Sequence, residues 1–113
     1  MITGIGVDIC AVERMVQLLE RRPGVVRKLF TTAEAERSAA SLAARFAAKE
    51  ALVKALGTSD GLAWLEIEIV SDEAGKPAFE FTGMTAETLG ERRALLSLSH
   101  DAGMAVATVV IEC

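Results

Sequence analysis

The chain has 113 residues, of which 51% are hydrophobic and 25% charged, with a formal net charge of −4. This length suits a single domain spanning residues 1–113. No apolar run approaches the ~20 residues of a membrane span. The acidic balance argues against nucleic acid as the main partner. The N-terminus shows no signal-peptide pattern, and Cys10 and Cys113 lack disulfide-framework or metal-ligand spacing, so we expect free thiols and a cytoplasmic location.

The first predicted element is a glycine-rich strand over residues 2–9. Its alternation places three apolar side chains on one face: Ile5, Val7 and Ile9. The opposite face carries Gly4, Gly6 and Asp8. Glycine weakens a strand unless another backbone must come close to it. Asp8 is therefore either the one functional side chain on a cleared face or a residue that opens the following helix.

The next segment is predicted to be helical and concentrates the positive charge. Helices are expected over residues 12–21 and 23–29, because proline is tolerated at a first helical position. Between Glu13 and Lys28 there are five basic and two acidic residues, or +3, which leaves −7 for the rest of a chain of net charge −4. The basic residues are Arg14, Arg21, Arg22, Arg27 and Lys28. The segment is either a solvated helix face or a docking surface for an acidic partner.

Thr31 and Glu34 have the spacing of a capping box, which predicts another short helix and a structural role for Glu34. A break near residues 40–41 is then expected to lead into the central helix. Ser41 is the predicted N-cap of that helix, and Gly57 is the predicted left-handed residue that ends it.

The central helix combines an apolar stripe with two charged residues beside it. The predicted stripe consists of Leu42, Phe46, Val53 and Leu56. Glu50 and Lys54 lie four residues apart and share their face with Ala43 and Ala47, so another group could lie close to the backbone there. This face also fits an ordinary surface Glu–Lys pair. Lys49 falls inside the stripe and must snorkel, pair with an acid or serve a site.

The second half of the chain is predicted to consist mainly of antiparallel strands. A clustering of helices before hairpins is typical of α+β proteins. The first of these strands is expected to have one solvated face. The predicted elements are a strand over 65–69, a turn over 72–77, a strand over 79–82, a short helix over 85–89, a strand over 95–99, a turn over 100–103 and a last strand over 104–111.

His100 is the only histidine and is predicted to open a turn beside Ser97, Ser99 and Asp101. A single histidine in a turn is usually a solvated bystander, although loop tips on rigid strands often carry functional residues. No separate nucleophile is identifiable, so a Ser-His-Asp triad is not predicted.

Five segments, in order along the chain, resemble motifs of the small bacterial holo-acyl-carrier-protein synthases, the 4′-phosphopantetheinyl transferases of fatty acid synthesis. They are GIGVDI at 4–9 followed by Arg14, FTTAE at 30–34, RFAAKEALVK at 45–54, GKP at 75–77 and SLSHD at 97–101. The resemblance implies a small α+β domain, with helices packed on a small antiparallel sheet, that works as a homotrimer with its sites between subunits. It also implies Mg²⁺-dependent transfer of phosphopantetheine from coenzyme A to a serine of an apo acyl carrier protein, with release of adenosine 3′,5′-bisphosphate.

The resemblance also implies roles for individual residues. Asp8 and Glu50 are the implied magnesium ligands, and carboxylate oxygens suit that hard cation. Lys54 is implied near the pyrophosphate, whereas Arg45 and Lys49 help to hold the phosphates of coenzyme A. The nucleotide pocket is implied to be lined by Gly75, Lys76, Pro77, Ser97, Ser99 and His100. Arg14 and the helix after it would receive the carrier protein. The base that accepts the serine proton is left open among a metal-bound water held by Glu50, a carboxylate and His100.

One segment departs from the family pattern. Only ten residues separate Glu34 from Arg45, and residues 38–44 carry no charge where relatives often have basic residues. Contacts from that segment therefore cannot be carried over. A non-catalytic trimeric domain that binds a nucleotide or a carrier protein, and a plain α+β interaction domain, are the alternative interpretations.

Overall fold

Residues 1–113 are described by a computed structural model in which five helices and five strands form an α+β fold, as predicted. A 3₁₀ turn at Trp64–Glu66 precedes the second strand. The helices are α1 (Val12–Arg21), α2 (Pro23–Leu29), α3 (Thr32–Ala35), α4 (Ala39–Leu56) and α5 (Gly83–Leu89). The strands are β1 (Ile2–Ala11), β2 (Ile67–Ser71), β3 (Pro77–Phe81), β4 (Arg93–Asp101) and β5 (Met104–Glu112).

Three strands form an antiparallel sheet in the order β1-β5-β4, and β2 and β3 form a separate hairpin. The register places Asp8 of β1 opposite Ala107 of β5, which in turn lies opposite Leu98 of β4. Helix α4 packs across one face of this sheet, where buried β5 residues such as Val109 and Ile111 meet it. The long α4 helix is thus the element against which the rest of the fold is assembled.

The two glycines of β1 allow the strand to lie directly against the backbone of α4. A Cβ atom at Gly6 would come within 2.1 Å of the Ala51 carbonyl oxygen, and one at Gly4 within 2.0 Å of the Ala55 carbonyl oxygen. The close neighbour of each glycine is the backbone of α4. This is the close backbone approach that the glycines on one face of the strand predicted. It also explains why the small-residue strip near Ala43 is fully buried. The sheet covers that strip.

The start of α4 differs from the prediction. The helix begins at Ala39, and Ser38 is the N-cap because its Oγ accepts a hydrogen bond from the backbone N–H of Ser41 at 3.2 Å. The expected break at residues 40–41 and the N-cap at Ser41 are therefore wrong. Gly57 ends the helix with a φ of 80°, as predicted. The preceding short helix has the predicted capping box between Thr31 and Glu34.

The buried face of α4 also differs from the predicted stripe. Leu42 is fully buried, but Phe46, Val53 and Leu56 are only partly buried. Most of the buried face consists of alanines, such as Ala47 and Ala51, because only small side chains fit where β1 lies close to the helix.

Several boundaries in the second half differ from the prediction: β3, α5 and β4 each begin two residues earlier than expected, and two further differences have an evident cause. Strand β2 begins at Ile67 rather than Leu65, since the Glu66 carboxylate accepts hydrogen bonds from the start of α5 and the chain turns there. Strand β4 continues through His100 to Asp101, because positive φ angles at Ala102 and Gly103 make a two-residue turn. No helix in the fold has both the length and the apolar character required to cross a membrane.

Candidate active site

Strand β1 and helix α4 bring Asp8 and Lys54 into contact beside Glu50. The ammonium of Lys54 lies 2.9 Å from Asp8 Oδ1 and donates a second hydrogen bond to the Val7 carbonyl oxygen at 3.1 Å. Glu50 lies one turn before Lys54 on α4 and lines the same groove as Asp8. The close packing of Gly6 on α4 is what places these three side chains together.

The electrostatics of the cluster are those of two neighbouring carboxylates with one cation. Partial burial raises the pKa of Glu50, the negative charge of Asp8 raises it further, and Lys54 lowers it. The chain has three ion pairs, and Glu50 belongs to none of them. The carboxylate of Glu50 therefore faces the groove without a cation of its own.

The two carboxylates fit a magnesium ion. Mg²⁺ is commonly bound through one or two carboxylates and completes its coordination with water and substrate phosphate. Asp8 and Glu50 supply that number of hard oxygen donors, and the fold contains no group of three or more acidic, histidine or cysteine side chains placed to hold a metal. The donor set thus suits a cation that is shared with a phosphate-bearing substrate.

The groove that contains the carboxylates has an apolar side. Its volume is about 410 Å³, and Asp8, Glu50 and Arg14 line it together with Met15 and Phe46. The remaining lining residues are Ile9, Cys10, Leu18 and Leu29. Both cysteines are free thiols, as predicted, and burial raises the pKa of Cys10. The groove therefore offers an unreactive apolar wall beside a charged one.

A second cavity, of about 490 Å³, lies at the N-terminus of α4 and contains Arg45 and His100. Arg45 is only 5% exposed, its Nε has no hydrogen-bond partner, and its Nη1 donates to Ser41 Oγ. Burial lowers the pKa of Arg45, and the neighbouring charge of Arg37 acts in the same direction. His100 Nε2 lies 3.4 Å from the Ala40 carbonyl oxygen. The cavity therefore holds an incompletely paired guanidinium beside a helix N-terminus, which is suited to an anion.

Lys49 does not take the predicted position at the phosphates. Its ammonium is completely buried, 2.7 Å from Glu34 Oε1, and donates further hydrogen bonds to the backbone oxygens of Leu29 and Trp64. Burial lowers the pKa of Lys49, and its hydrogen bond to Glu34 opposes this. All three N–H donors of the lysine are occupied, so it has none left for coenzyme A. The sequence allowed pairing with an acid as one of three possibilities, and that is the observed one.

The remaining predicted nucleotide-pocket residues lie apart from both cavities within one chain. Gly75 and Lys76 belong to the β2–β3 connection, where Asp72 Oδ1 accepts a hydrogen bond from the Lys76 backbone N–H at 2.8 Å, and Pro77 is the first residue of β3. Ser97 and Ser99 are also outside the two cavities. Of these residues, Gly75, Lys76, Ser97 and Ser99 are exposed, and Pro77 is half-buried.

The five predicted docking residues are exposed: Arg14 and Arg21 lie on α1, Arg27 and Lys28 on α2, and Arg22 between the two helices. Arg14 lines the carboxylate groove and also a shallow depression that it shares with Arg21 and Arg22. Arg27 and Lys28 lie in the last turn of α2. The basic surface therefore continues to the edge of the groove that contains Asp8 and Glu50.

The sequence did not predict the apolar wall of the groove or the exposure of apolar side chains on the outer face of the sheet. Met15 and Leu18, which lie one helical turn apart on α1, form part of this wall. Ile5, Val7 and Ile9 are 70%, 56% and 56% exposed on the face of β1 that points away from α4. Their exposure could not be inferred from alternation, which does not say which face of a strand is covered.

Comparison with known proteins agrees with this fold. Residues 4–109 match the model of the 4′-phosphopantetheinyl transferase superfamily. The chain is 55% identical to the holo-[acyl-carrier-protein] synthase of Cutibacterium acnes, with 99% of each chain covered. It is 52% identical to the protein of that name from Clavibacter michiganensis, covering 99% of this chain and 97% of the relative.

Solved structures give the same assignment. The holo-[acyl-carrier-protein] synthase of Neisseria meningitidis superposes with a TM-score of 0.90 at 34% identity, with both chains fully covered. The synthase from Bacillus anthracis, solved in complex with CoA (3′,5′-ADP), gives a TM-score of 0.82 at 34% identity, covering 99% of this chain and 97% of the other. The chain belongs to the 4′-phosphopantetheinyl transferase superfamily. Within that superfamily it is an enzyme of the holo-[acyl-carrier-protein] synthase type.

Proposed function

We propose that this enzyme transfers 4′-phosphopantetheine from coenzyme A to a serine of an apo acyl carrier protein, in a Mg²⁺-dependent reaction that releases adenosine 3′,5′-bisphosphate. The observation that carries the proposal is that Asp8 and Glu50 line one groove with Arg14, while the ammonium of Lys54 contacts Asp8. The solved synthases with coenzyme A support the donor, and the names of the relatives support the acceptor. By the family resemblance we place the reaction in cytoplasmic fatty acid biosynthesis.

In this proposal Asp8 and Glu50 hold the magnesium ion. The ion supplies positive charge that offsets the charge developing on the pyrophosphate as its bond to the leaving group breaks. The side chain of Lys54 is half-exposed beside Asp8, and its ammonium adds a second positive charge near the same phosphates. The serine nucleophile comes from the carrier protein, so the absence of a nucleophile motif in this chain is expected.

The cavity with Arg45 and His100 is the proposed site for another phosphate of coenzyme A. Arg45 is buried with an unsatisfied Nε, and a phosphate oxygen is an acceptor that a guanidinium binds well. Lys49 is not part of this proposal, because its ammonium pairs with Glu34 in the core. His100 lines a different cavity from Asp8 and Glu50 of its own chain, so a role for His100 as the base would require the groove of a neighbouring protomer.

We further propose a homotrimer whose sites lie between subunits. Support comes from the exposed apolar face of the sheet, where Ile5, Val7, Ile9 and Leu95 are all at least 45% exposed. Apolar patches of this kind on a small domain are typical of association surfaces. Exposed Gly75 and Ser97 lie outside the groove of their own chain, which fits a pocket completed by a neighbour. The number three rests on the family resemblance.

The trimer is tested by light scattering at micromolar concentration. We expect the mass of three chains for the parent protein and a smaller mass for Val7→Glu, which places a charge on the exposed face. Ala33→Glu, which places the same charge on the exposed surface of α3, is the comparison variant. A fully active monomer would refute the trimer.

The transfer reaction is tested by incubating the protein with coenzyme A, an apo acyl carrier protein and Mg²⁺, and then weighing the carrier. We expect a mass gain equal to one phosphopantetheine group, which is lost when Mg²⁺ is chelated or when the carrier serine is replaced by alanine. A carrier of unchanged mass that still binds the protein would instead indicate a non-catalytic member of the family.

A further inference from the structure

The side chain of Lys54 makes two contacts with the edge strand β1. Its ammonium is 2.9 Å from Asp8 Oδ1 and 3.1 Å from the Val7 carbonyl oxygen. The side chain of Lys54 is 55% exposed and that of Asp8 is 18% exposed. The Asp8 carboxylate is thus bound by a cation that belongs to the chain itself, while the outer side of that cation faces water.

The charges of the cluster set up a competition at Asp8. With Lys54 in place, Asp8, Glu50 and Lys54 sum to −1, and without it the two carboxylates carry −2, of which Arg14 on the same groove offsets one charge. A divalent ion coordinated by Asp8 and Glu50 would need a carboxylate oxygen that lies next to the ammonium. The ammonium and the divalent ion would lie close together at this carboxylate and would repel each other strongly, because the effective dielectric constant near a protein surface is only about 20. The lysine and the metal therefore oppose each other at the same carboxylate.

The structure also allows the lysine to leave. A half-exposed ammonium on a flexible four-carbon stem moves at little cost, unlike Lys49, which is enclosed by Glu34 and two carbonyl oxygens. A phosphate group in the groove would offer the ammonium a new partner of higher charge. The loss of its contact with Asp8 is then compensated by a stronger one.

We propose that Lys54 is an internal competitor of Mg²⁺ at Asp8, and that it is released from Asp8 when the phosphates of coenzyme A enter the groove. This inference rests on the proposed function. It predicts that Mg²⁺ binds weakly to the protein alone and more tightly in the presence of coenzyme A, because the coenzyme removes the competing ammonium. Lys54 thereby couples the binding of the two ligands, and the coupling is reciprocal.

The test is an equilibrium titration with MgCl₂ alone, followed by heat release and by the Mg²⁺-induced rise in Tm. We expect Lys54→Met to bind Mg²⁺ about tenfold more tightly than the parent protein, although its transfer activity falls. Lys54→Arg keeps the charge and is expected to bind Mg²⁺ as the parent does. Arg93→Met is the matched control, since it removes one positive charge from the Arg93–Glu112 surface pair at the far end of the sheet.

Repeating the titrations with coenzyme A measures the coupling. We expect coenzyme A to tighten Mg²⁺ binding by a larger factor in the parent protein than in Lys54→Met. Equal or weaker Mg²⁺ binding by folded Lys54→Met would overturn the inference, because Lys54 would then support the site rather than compete for it.

Asp8→Asn in the same titration separates this inference from the proposed function. If Asp8→Asn weakens Mg²⁺ binding and Lys54→Met leaves it unchanged, the metal site stands and the competition does not. If Asp8→Asn binds Mg²⁺ as the parent does, the metal site in the proposed function is wrong, and the inference fails with it.

Discussion

Helix α4 carries two lysines, five residues apart, that pair with acidic residues in opposite surroundings. Lys49 is completely buried, and its ammonium is bound by Glu34 and two backbone oxygens. Lys54 is half-exposed, and its ammonium is bound by Asp8 and one backbone oxygen. A buried charge with every donor satisfied is a structural feature, because moving it would leave an uncompensated charge in the core. An exposed pair on a groove can exchange partners.

The carboxylates show the same contrast. Glu34 accepts hydrogen bonds from the backbone N–H groups of Thr31 and Ile69 in addition to Lys49, so both of its oxygens are occupied. Glu50 has no cationic partner of its own, and burial together with the charge of Asp8 raises its pKa. The comparison indicates that a free coordination position, rather than the presence of charge, distinguishes the candidate site from the structural network.

The largest expected effect comes from removing a carboxylate of the groove. Asp8→Asn and Glu50→Gln are each expected to lower the transfer rate about 1,000-fold, or about 4 kcal/mol, because each would remove a proposed metal ligand. Rates at limiting Mg²⁺ and thermal unfolding provide the measurement. Glu80→Gln, an exposed change on β3, is the control. Near-parental turnover by both groove variants would remove Asp8 and Glu50 from the mechanism.

The next effect tests the buried network. Lys49→Met leaves Glu34 as an unpaired buried carboxylate, so we expect the free energy of unfolding to fall by about 3–5 kcal/mol in urea titrations. Lys54→Met removes a half-exposed pair and is expected to cost less than about 1 kcal/mol, while transfer activity falls. A stable but inactive Lys49→Met together with an active Lys54→Met would exchange the two roles.

A smaller effect is expected at the basic surface of α1 and α2. Replacing Arg14 and Arg21 with Glu is expected to raise KM for the carrier protein about tenfold, with little change in KM for coenzyme A, because complementary charge mainly accelerates association. Added salt is expected to have the same effect, since it screens charges over about 8 Å at physiological ionic strength. Arg93→Glu, outside this surface, is the control. A carrier KM that does not depend on salt or on these arginines would place the docking surface elsewhere.

The smallest effect concerns Glu66, a half-buried glutamate with a structural role. Hydrogen bonds from Thr85 lower the pKa of Glu66 below its ordinary value of 4.5. A lowered pKa means that this carboxylate stabilises the fold above pH 4.5 and that the contribution is lost as the pH falls through the lowered value. We therefore expect Glu66→Gln to have a slightly lower Tm at pH 7 and a Tm equal to that of the parent in strong acid. If the Tm difference between Glu66→Gln and the parent protein does not change with pH, the loss of stability comes from packing and not from the charge of Glu66.

Much of the architecture follows from local sequence. Helices α1 and α2, the capping box at Thr31, the end of α4 at Gly57 and the β2–β3 turn all lie where short-range chemistry predicts them. Each depends on a side chain acting on its own backbone or on a φ angle that favours glycine. The order of the motifs also identified the family, which comparison with known proteins confirmed.

Other features depend on residues far apart in the chain, and only the tertiary structure decided them. Alternation in β1 could not show that its glycine face packs on α4 while Ile5 and Val7 face outward, because a strand pattern does not name the covered side. Helical spacing placed Lys49 in an apolar stripe, but its pairing with Glu34, fifteen residues earlier, required three elements to meet. Likewise, the sequence supplied Asp8 and Lys54, whereas their 2.9 Å contact exists because two glycines let a strand and a helix touch.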